Sequence, residues 1–185
     1  AIGHRLYFGA TSINNAVLAA APQLLAAGFQ VIHITGTLDW EETAARRAEL
    51  CQNREQGSGC DHYHAFPYLH EEMALALAAA DLVVCRSGAS VLGELPFFGL
   101  PAVLVPYPYA WRYQKVNADY LAERNAAVIL QDDLLDDTLL PVINDLLANE
   151  HKRSAMRAAM KNLSQPEAAD TIASQLVKLA GEETL

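Results

Sequence analysis

One stretch, residues 80–117, limits the folds open to this chain more than any other. It contains two short apolar runs, Leu82–Cys85 and Ala102–Val105, joined by a polar turn and a helix-compatible segment. This order predicts strand, turn, helix and strand, a βαβ unit with parallel strands. Ligands of open α/β sheets bind beyond the carboxyl ends of the strands. We therefore expect the connections at Ser87–Ala89 and Pro106–Asn117 to lie together at one site.

The alternation of apolar runs and turns continues on both sides of this unit. It predicts strands at Leu6–Phe8, Gln30–Thr35, His62–Phe66, Leu82–Cys85, Ala102–Val105 and Ala126–Leu130. The helical segments outside the βαβ unit are Ile13–Ala27, Trp40–Gln52, Glu71–Ala79, Tyr113–Glu123, Asp136–Ala148, His151–Asn162 and Pro166–Leu179. The pattern indicates an α/β fold with a doubly wound, mostly parallel six-stranded sheet followed by C-terminal helices. At 185 residues we expect one domain, 1–185, because two would be cramped.

Charge and composition exclude some classes of function. The net charge of −9 argues against nucleic-acid binding, which requires a concentrated basic surface. A single nucleotide stays possible, because backbone N–H groups at a helix N-terminus can bind its phosphates. Cys51, Cys60 and Cys85 lack metal-ligand spacing and favour a reduced, cytoplasmic setting. No run reaches the roughly 20 strongly apolar residues of a membrane span, so no transmembrane helix is predicted.

The motifs between residues 80 and 118 occur together in one family of enzymes. In order they are Arg86-Ser87-Gly88-Ala89, Glu94, Gly99-Leu100-Pro101, Val105-Pro106-Tyr107 and Gln114-x-x-Asn117-Ala118. In this combination the chain resembles the C-terminal, donor-binding half of the MurG-type glycosyltransferases of family 28, with a looser likeness over residues 6–179. Those enzymes transfer N-acetylglucosamine from UDP-GlcNAc to an undecaprenyl-linked muramoyl-peptide. The resemblance implies the Rossmann-like half of a GT-B fold, a UDP-GlcNAc ligand, and neither cofactor nor metal.

The resemblance assigns roles around the helix of the βαβ unit. A carboxylate can accept hydrogen bonds from two neighbouring hydroxyls, and the resemblance implies that Glu94 binds the ribose of UDP. A plain acid favoured by the helix dipole is the alternative. Gly88, Ala89 and Ser90 open this helix, so their N–H groups are implied to bind the diphosphate, although a tight turn alone would also require a glycine. Val91 replaces a Thr common in relatives and removes one hydroxyl donor.

Two amides follow the second strand of the unit. Gln114 and Asn117 are three residues apart and would share one helix face, where amides suit sugar hydroxyls. The spacing alone fits solvent-facing polar residues equally well. The resemblance implies that Gln114 contacts the donor sugar and that Asn117 supports the site. Tyr113 stands where relatives often have His or Gln, so a glycolipid synthase using UDP-glucose or UDP-galactose is an alternative.

The segment Pro67-Tyr68-Leu69, before Met73, resembles the family's loop over the uracil ring. Leu69 is therefore the candidate contact for the base. An ordinary βα loop that packs Tyr68 and Leu69 into the core is the alternative.

Two groups of titratable residues resemble metal sites, and we expect no metal at either. The histidines lack a carboxylate that would complete a zinc site, so we predict surface positions for His62, His64 and His70. The acids lack the spacing and glycine of a calcium loop, so we predict solvated loop or helix-start positions for Asp132, Asp133, Asp136 and Asp137.

Two features of MurG-type enzymes have no counterpart in the sequence. The glycine-rich GGSxG turn after the first strand is shortened to Gly9-Ala10, and restoring about four residues between them would recover the phosphate-binding pattern. We expect that such a stretch has been omitted. The half that supplies the acceptor site, the membrane-facing patch and the candidate base is also absent, so we predict no catalytic residue here and little or no transfer by this chain alone.

The expected partners follow from the resemblance. They are UDP-GlcNAc, the N-terminal acceptor domain and, through that domain, a lipid-linked acceptor at the inner face of the cell membrane, with no nucleic acid. The helix Pro166–Leu179 is expected to pack across to that domain. A non-catalytic nucleotide-binding subunit of a split glycosyltransferase is the alternative from a different class.

Overall fold

A computed structural model describes residues 5–8, 10–52, 60–109 and 113–182. The strands are β1 Arg5–Phe8, β2 Gln30–Ile34, β3 Tyr63–Phe66, β4 Leu82–Cys85, β5 Ala102–Leu104 and β6 Ala127–Ile129. The helices are α1 Thr11–Ala26, α2 Trp40–Gln52, α3 Met73–Ala79, α4 Val91–Phe98, α5 Tyr113–Ala122, α6 Leu135–Ala148, α7 Glu150–Lys161 and α8 Ala168–Glu182. Short 3₁₀ turns at Cys60–His62 and Asp132–Leu134 precede β3 and α6.

The six strands form one parallel sheet in the order β3-β2-β1-β4-β5-β6. Strands β2 and β3 are added in turn on one side of β1. The chain then crosses to the other side of β1, where β4, β5 and β6 are added in turn. The strand order therefore reverses between β1 and β4, and the crevice beyond their carboxyl ends is the topological switch point. The predicted doubly wound sheet is confirmed, with strand ends within one or two residues of those expected.

Each face of the sheet has its own apolar core, because side chains alternate along a strand. On one face Leu82 and Val84 of β4 pack in a cluster with α1 and α6. On the other face Val83 packs in a cluster with α3, α4, α5 and Met160 of α7. The central strands are thus buried on both sides, which explains why they read as continuous apolar runs.

Gly99 ends α4 and turns the chain toward β5. Its φ of 61° is left-handed, and the N–H of Leu100 donates to the carbonyl of Leu95 at 2.9 Å. This is the Schellman arrangement that glycine favours at helix ends. The motif Gly99-Leu100-Pro101 therefore fixes where β5 starts relative to β4.

The last helix, α8, lies on the surface along its described length. It begins at Ala168, two residues later than predicted, and its apolar side chains are exposed: Ile172, Leu176, Val177 and Leu179 are 59–74% accessible. Among the residues that the structure describes, no helix is long and apolar enough to cross a membrane. The predicted packing of this helix against another domain stays a prediction.

Candidate functional site

A cavity of about 850 Å³ opens at the carboxyl edge of the sheet, between the β3–α3 connection and the start of α4. Its lining includes four of the residues expected to bind a ligand: Leu69, Gly88, Ser90 and Glu94. Tyr68, His70 and Met73 contribute from the α3 side, and Cys85 and Arg86 from the end of β4. The fold therefore brings together residues separated by up to 25 positions in the sequence, from Leu69 to Glu94.

The turn before α4 carries backbone donors; its residues Gly88 and Ser90 line the cavity, and Ala89 does not. The N–H groups of Val91 and Leu92 donate within the turn, to the carbonyls of Gly88 at 3.3 Å and Ala89 at 3.2 Å. Within the described parts of the chain, the N–H groups of Gly88, Ala89 and Ser90 donate to no acceptor. Free donors at the positive end of a helix form an anion-binding arrangement.

Glu94 lies in the first turn of α4, is exposed and lines the cavity. Cys85 lies nearby, where burial raises the pKa of its thiol to about 12 and the Glu94 carboxylate acts in the same direction. Cys85 therefore stays a neutral thiol at neutral pH. Glu94 and Glu71 are the two acids of this lining, and the ribose role given to Glu94 stays a prediction.

Gln114 and Asn117 do not line the cavity, but both are bonded to Ser87, which lies between the lining residues Arg86 and Gly88. Ser87 donates its hydroxyl to the carbonyl of Gln114 at 2.7 Å, and the Asn117 amide donates to the carbonyl of Ser87 at 3.0 Å. The side-chain oxygen of Gln114 accepts the N–H of Tyr107 at 2.9 Å, which leaves its NH₂ group as the donor for a ligand. The sugar and supporting roles given to these two residues stay predictions.

Arg86 joins three segments at the same edge. It lies 2.5 Å from an Asp132 oxygen and 2.7 Å from the Ser12 hydroxyl, and it donates to the carbonyl of Val105 at 3.2 Å. The prediction that Asp132 is a solvated acid is wrong: its side chain is 21% exposed and is paired with Arg86. No sequence pattern indicates this pair, because the two residues are far apart and a helix-start acid explains Asp132 equally well.

The other expected surface residues lie where predicted. Asp133, Asp136 and Asp137 are exposed, as are the three histidines His62, His64 and His70. Over the residues described, no three His, Cys, Asp or Glu side chains come together as a metal site would require.

A second polar network is buried beside β1 and was not predicted. The Tyr63 hydroxyl lies 2.6 Å from Nδ1 of His33, and Nε2 of His33 lies 2.8 Å from the Asn14 side-chain oxygen. The Asn14 amide donates to the carbonyl of Thr35 and to Asp39, both at 2.8 Å. Asn14 therefore offers His33 an acceptor, so Nε2 carries the hydrogen and Nδ1 accepts from Tyr63.

This network reaches the connection after β1. The N–H of Ala10 donates to the side-chain oxygen of Asn14 at 3.3 Å, and Ala10 has a φ of 142°, which is rare for a residue with a Cβ. Gly9 lies outside the described residues. The expected omission between Gly9 and Ala10 stays a prediction.

The model of the glycosyltransferase family 28 C-terminal domain matches residues 8–172. The chain belongs to glycosyltransferase family 28. It is 43% identical to a UDP-N-acetylglucosamine–N-acetylmuramyl-(pentapeptide) pyrophosphoryl-undecaprenol N-acetylglucosamine transferase of Roseiflexus sp. (strain RS-1), covering 89% of this chain and 40% of that protein. The enzyme of the same name from Desulforudis audaxviator is 40% identical, over 95% of this chain and 47% of that protein.

The solved structures agree with this family 28 assignment. The crystal structure of Acinetobacter baumannii MurG superposes with a TM-score of 0.77 at 27% identity, covering 95% of this chain and 49% of that one. The chain thus spans about half the length of the relatives it matches. The resemblance to the C-terminal half of MurG-type enzymes is confirmed.

Proposed function

We propose that this chain is the UDP-GlcNAc-binding domain, 1–185, of an inverting glycosyltransferase. The enzyme would transfer GlcNAc to undecaprenyl-pyrophosphoryl-MurNAc-pentapeptide in peptidoglycan synthesis. The observation that supports this most is the cavity at the switch point, which combines Leu69, the free N–H groups of the α4 turn and Glu94. The names of the family 28 relatives specify the same donor and acceptor.

The cavity has a suitable group for each part of the donor. The apolar end at Tyr68 and Leu69 suits the uracil ring, and the Glu94 carboxylate suits the ribose hydroxyls. The N–H groups of Gly88–Ser90 suit the diphosphate. The sugar would then lie toward the NH₂ group of Gln114, whose oxygen is already bonded to Tyr107.

The transfer step requires a group outside this chain. The acceptor hydroxyl attacks the anomeric carbon, the bond from that carbon to the UDP oxygen breaks, and a base in the N-terminal domain takes the hydroxyl proton. The departing UDP carries the negative charge, which the N-terminal end of α4 stabilises. This chain alone would bind the donor and transfer little or nothing.

The N-terminal acceptor domain is the expected partner of this chain. The exposed apolar side chains of α8, such as Ile172 and Leu176, suit packing against that domain. The complete enzyme would be cytoplasmic and peripheral at the inner face of the membrane, where the lipid-linked acceptor lies. If the halves are separate chains, an acceptor-binding subunit should copurify with this one.

A different donor sugar is the second candidate. Tyr113, the first residue of α5, is 76% exposed and is adjacent to Gln114. It replaces the His or Gln of relatives, so a site for UDP-glucose or UDP-galactose is the alternative.

Calorimetric titration of the chain with UDP-GlcNAc, UDP, UDP-glucose and UDP-galactose tests both candidates. Micromolar to millimolar binding, about −4 to −8 kcal/mol, is expected for UDP-GlcNAc. Glu94→Gln should weaken UDP and UDP-GlcNAc alike by about 1–3 kcal/mol, because a charged acceptor is lost. Gln114→Ala should weaken UDP-GlcNAc and spare UDP. Glu123→Gln, at an exposed acid beyond the cavity, is the control.

Each outcome decides one part of the proposal. Absence of binding to every nucleotide would contradict a donor site in this chain. Tighter binding of UDP-glucose or UDP-galactose than of UDP-GlcNAc would replace the sugar assignment and retain the site. Unchanged UDP affinity in Glu94→Gln would remove Glu94 from the ribose.

A further inference from the structure

We propose that Asp132 and Ser12 are positioning residues for the donor sugar, acting through Arg86. Neither residue lines the cavity. Both instead contact the guanidinium that adjoins the loop after β5, where the sugar is expected to bind. The inference rests on the proposed function for its ligand, and its structural part can be tested without any ligand.

Protein acceptors hold the Arg86 guanidinium on several sides. Nη1 lies 2.5 Å from Asp132 Oδ1 and 3.2 Å from the carbonyl of Val105, and Nη2 donates to the Ser12 hydroxyl at 2.7 Å. Ser12 in turn donates to the same Asp132 oxygen at 2.7 Å. The arrangement is a closed triangle of one cation, one anion and one hydroxyl.

The triangle is sheltered from solvent, so its contacts are stronger than those of a surface pair. The side chains of Arg86 and Asp132 are 18% and 21% exposed. Screening by water is weaker there than at the surface, and charge-assisted bonds are about twice as strong as neutral ones. Arg86 is thereby fixed in one orientation, a result that lysine, with a single ammonium group, would not reproduce.

The Arg86 side chain, held in this way, also contacts the loop after β5. Its guanidinium carbon lies 5.2 Å from the ring centroid of Tyr107, close enough for a cation–π contact. The N–H of Tyr107 donates to the side-chain oxygen of Gln114 at 2.9 Å. A continuous series of contacts therefore runs from Asp132, after β6, to the side chain proposed to read the sugar.

Arg86 lines the cavity, but the rest of this series avoids the groups proposed to bind UDP. No described contact links Asp132 or Ser12 to Leu69, to the N–H groups of Gly88–Ser90 or to Glu94. Disturbing Asp132 should therefore alter binding of the sugar and leave binding of UDP nearly unchanged. A residue that only stabilised the fold would affect both ligands together.

The test uses Asp132→Asn and Ser12→Ala in the 185-residue chain, with Asp133→Asn at the neighbouring exposed acid as the control. We expect UDP-GlcNAc affinity to fall about tenfold in Asp132→Asn, the loss of one charge-assisted bond, with UDP affinity within about twofold. In the Asp132→Asn background, Gln114→Ala should lower UDP-GlcNAc affinity by less than it does in the wild type, because both changes disrupt one series of contacts.

Hydrogen exchange of the amide of Tyr107 is the readout that needs no ligand. It should quicken in Asp132→Asn and in Arg86→Lys, and keep its wild-type rate in Asp133→Asn. Unchanged exchange in Asp132→Asn, or equal losses for UDP and UDP-GlcNAc, would overturn the inference. If the wild-type chain binds no nucleotide, the proposed function fails, and the exchange rates still decide whether Asp132 fixes the loop.

Discussion

Acidification should destabilise this fold through one buried imidazole, that of His33. Burial lowers the pKa of His33 from 6.5 to about 4, although the Asp39 carboxylate opposes this shift. The reason is visible in its contacts: Nε2 already donates to Asn14, and Nδ1 already accepts from the Tyr63 hydroxyl. A second proton would have to enter at Nδ1, where the hydroxyl of Tyr63 now donates.

The sign and size of the effect follow from linkage. Above pH 6.5 the imidazole of His33 is neutral in both the folded and the unfolded chain, so it adds no pH dependence to the free energy of unfolding. Between pH 6.5 and about 4 the unfolded chain binds a proton that the native chain does not, so the free energy of unfolding falls. The loss reaches about 3 kcal/mol at pH 4, from a pKa difference worth about 1.4 kcal/mol per unit.

Urea unfolding of the wild type and His33→Gln, at intervals from pH 7.5 to pH 4, measures this loss. Carboxylates also titrate in this range, and they contribute equally to both proteins. The variant should be less stable at pH 7.5, since its side chain cannot repeat both ring contacts, and its stability should fall less steeply below pH 6.5. His64→Gln, at the exposed neighbour of Tyr63 on β3, is the control and should keep the wild-type slope.

Parallel slopes for the wild type and His33→Gln would refute this reasoning. The same conclusion would follow from an NMR titration in which the native His33 ring protonates near pH 6.5. Either result would mean that the network admits a charged imidazole.

Three further predictions concern the single residues Gly99, Gly93 and Cys85. Gly99→Ala should lower the free energy of unfolding by about 1–2 kcal/mol, because φ is 61° and a Cβ would lie 2.6 Å from Lys161 Cγ. Gly93→Ala lies in helix α4 with nothing within 4 Å of the added Cβ, so it should raise the free energy of unfolding by about 0.5–1 kcal/mol. Urea unfolding measures both variants, and a change of the same sign in both would contradict these predictions. Iodoacetamide should modify Cys85 in the native chain at pH 8 at least tenfold more slowly than in urea, because burial raises its pKa to about 12 and lowers the thiolate fraction. Rapid labelling of the native chain, measured by mass mapping of peptides, would contradict this.

The fold was predictable because its signals are local. Each central strand is buried on both faces and so forms an unbroken apolar run, as in Leu82–Cys85, and turn residues separate the runs. Helix ends were less certain: α3 begins at Met73, two residues after the predicted start at Glu71. Acids near a helix start favour both the first turn and the residues just before it, so the pattern does not separate them.

The cavity was predictable in part, and the networks around it were not. Leu69, Gly88, Ser90 and Glu94 lie in motifs, and the sheet order brings them to one edge. Asp132 was misjudged because its partner Arg86 comes from a different strand end.

His33 was missed for the same reason. One histidine in an apolar strand gives no sign of its partners, which here are Tyr63, 30 residues away, and Asn14, 19 residues away. Only the assembled fold places β3 beside β2 and packs α1 near them, so that these side chains can meet.

Under the proposed function, the two networks would allow this chain to bind the donor separately from transfer. The His33 network holds Asn14 and Ala10, and the Arg86 network holds Val105 and Tyr107 after β5, so contacts within this chain fix residues at both places on the carboxyl edge of the sheet. Cavity groups such as Glu94 and the N–H of Ser90 stay open to a ligand. Because little ordering remains to be done on binding, this chain should bind the donor without its N-terminal domain. That domain would then add the acceptor and the base, and would change the rate of transfer far more than the affinity for UDP.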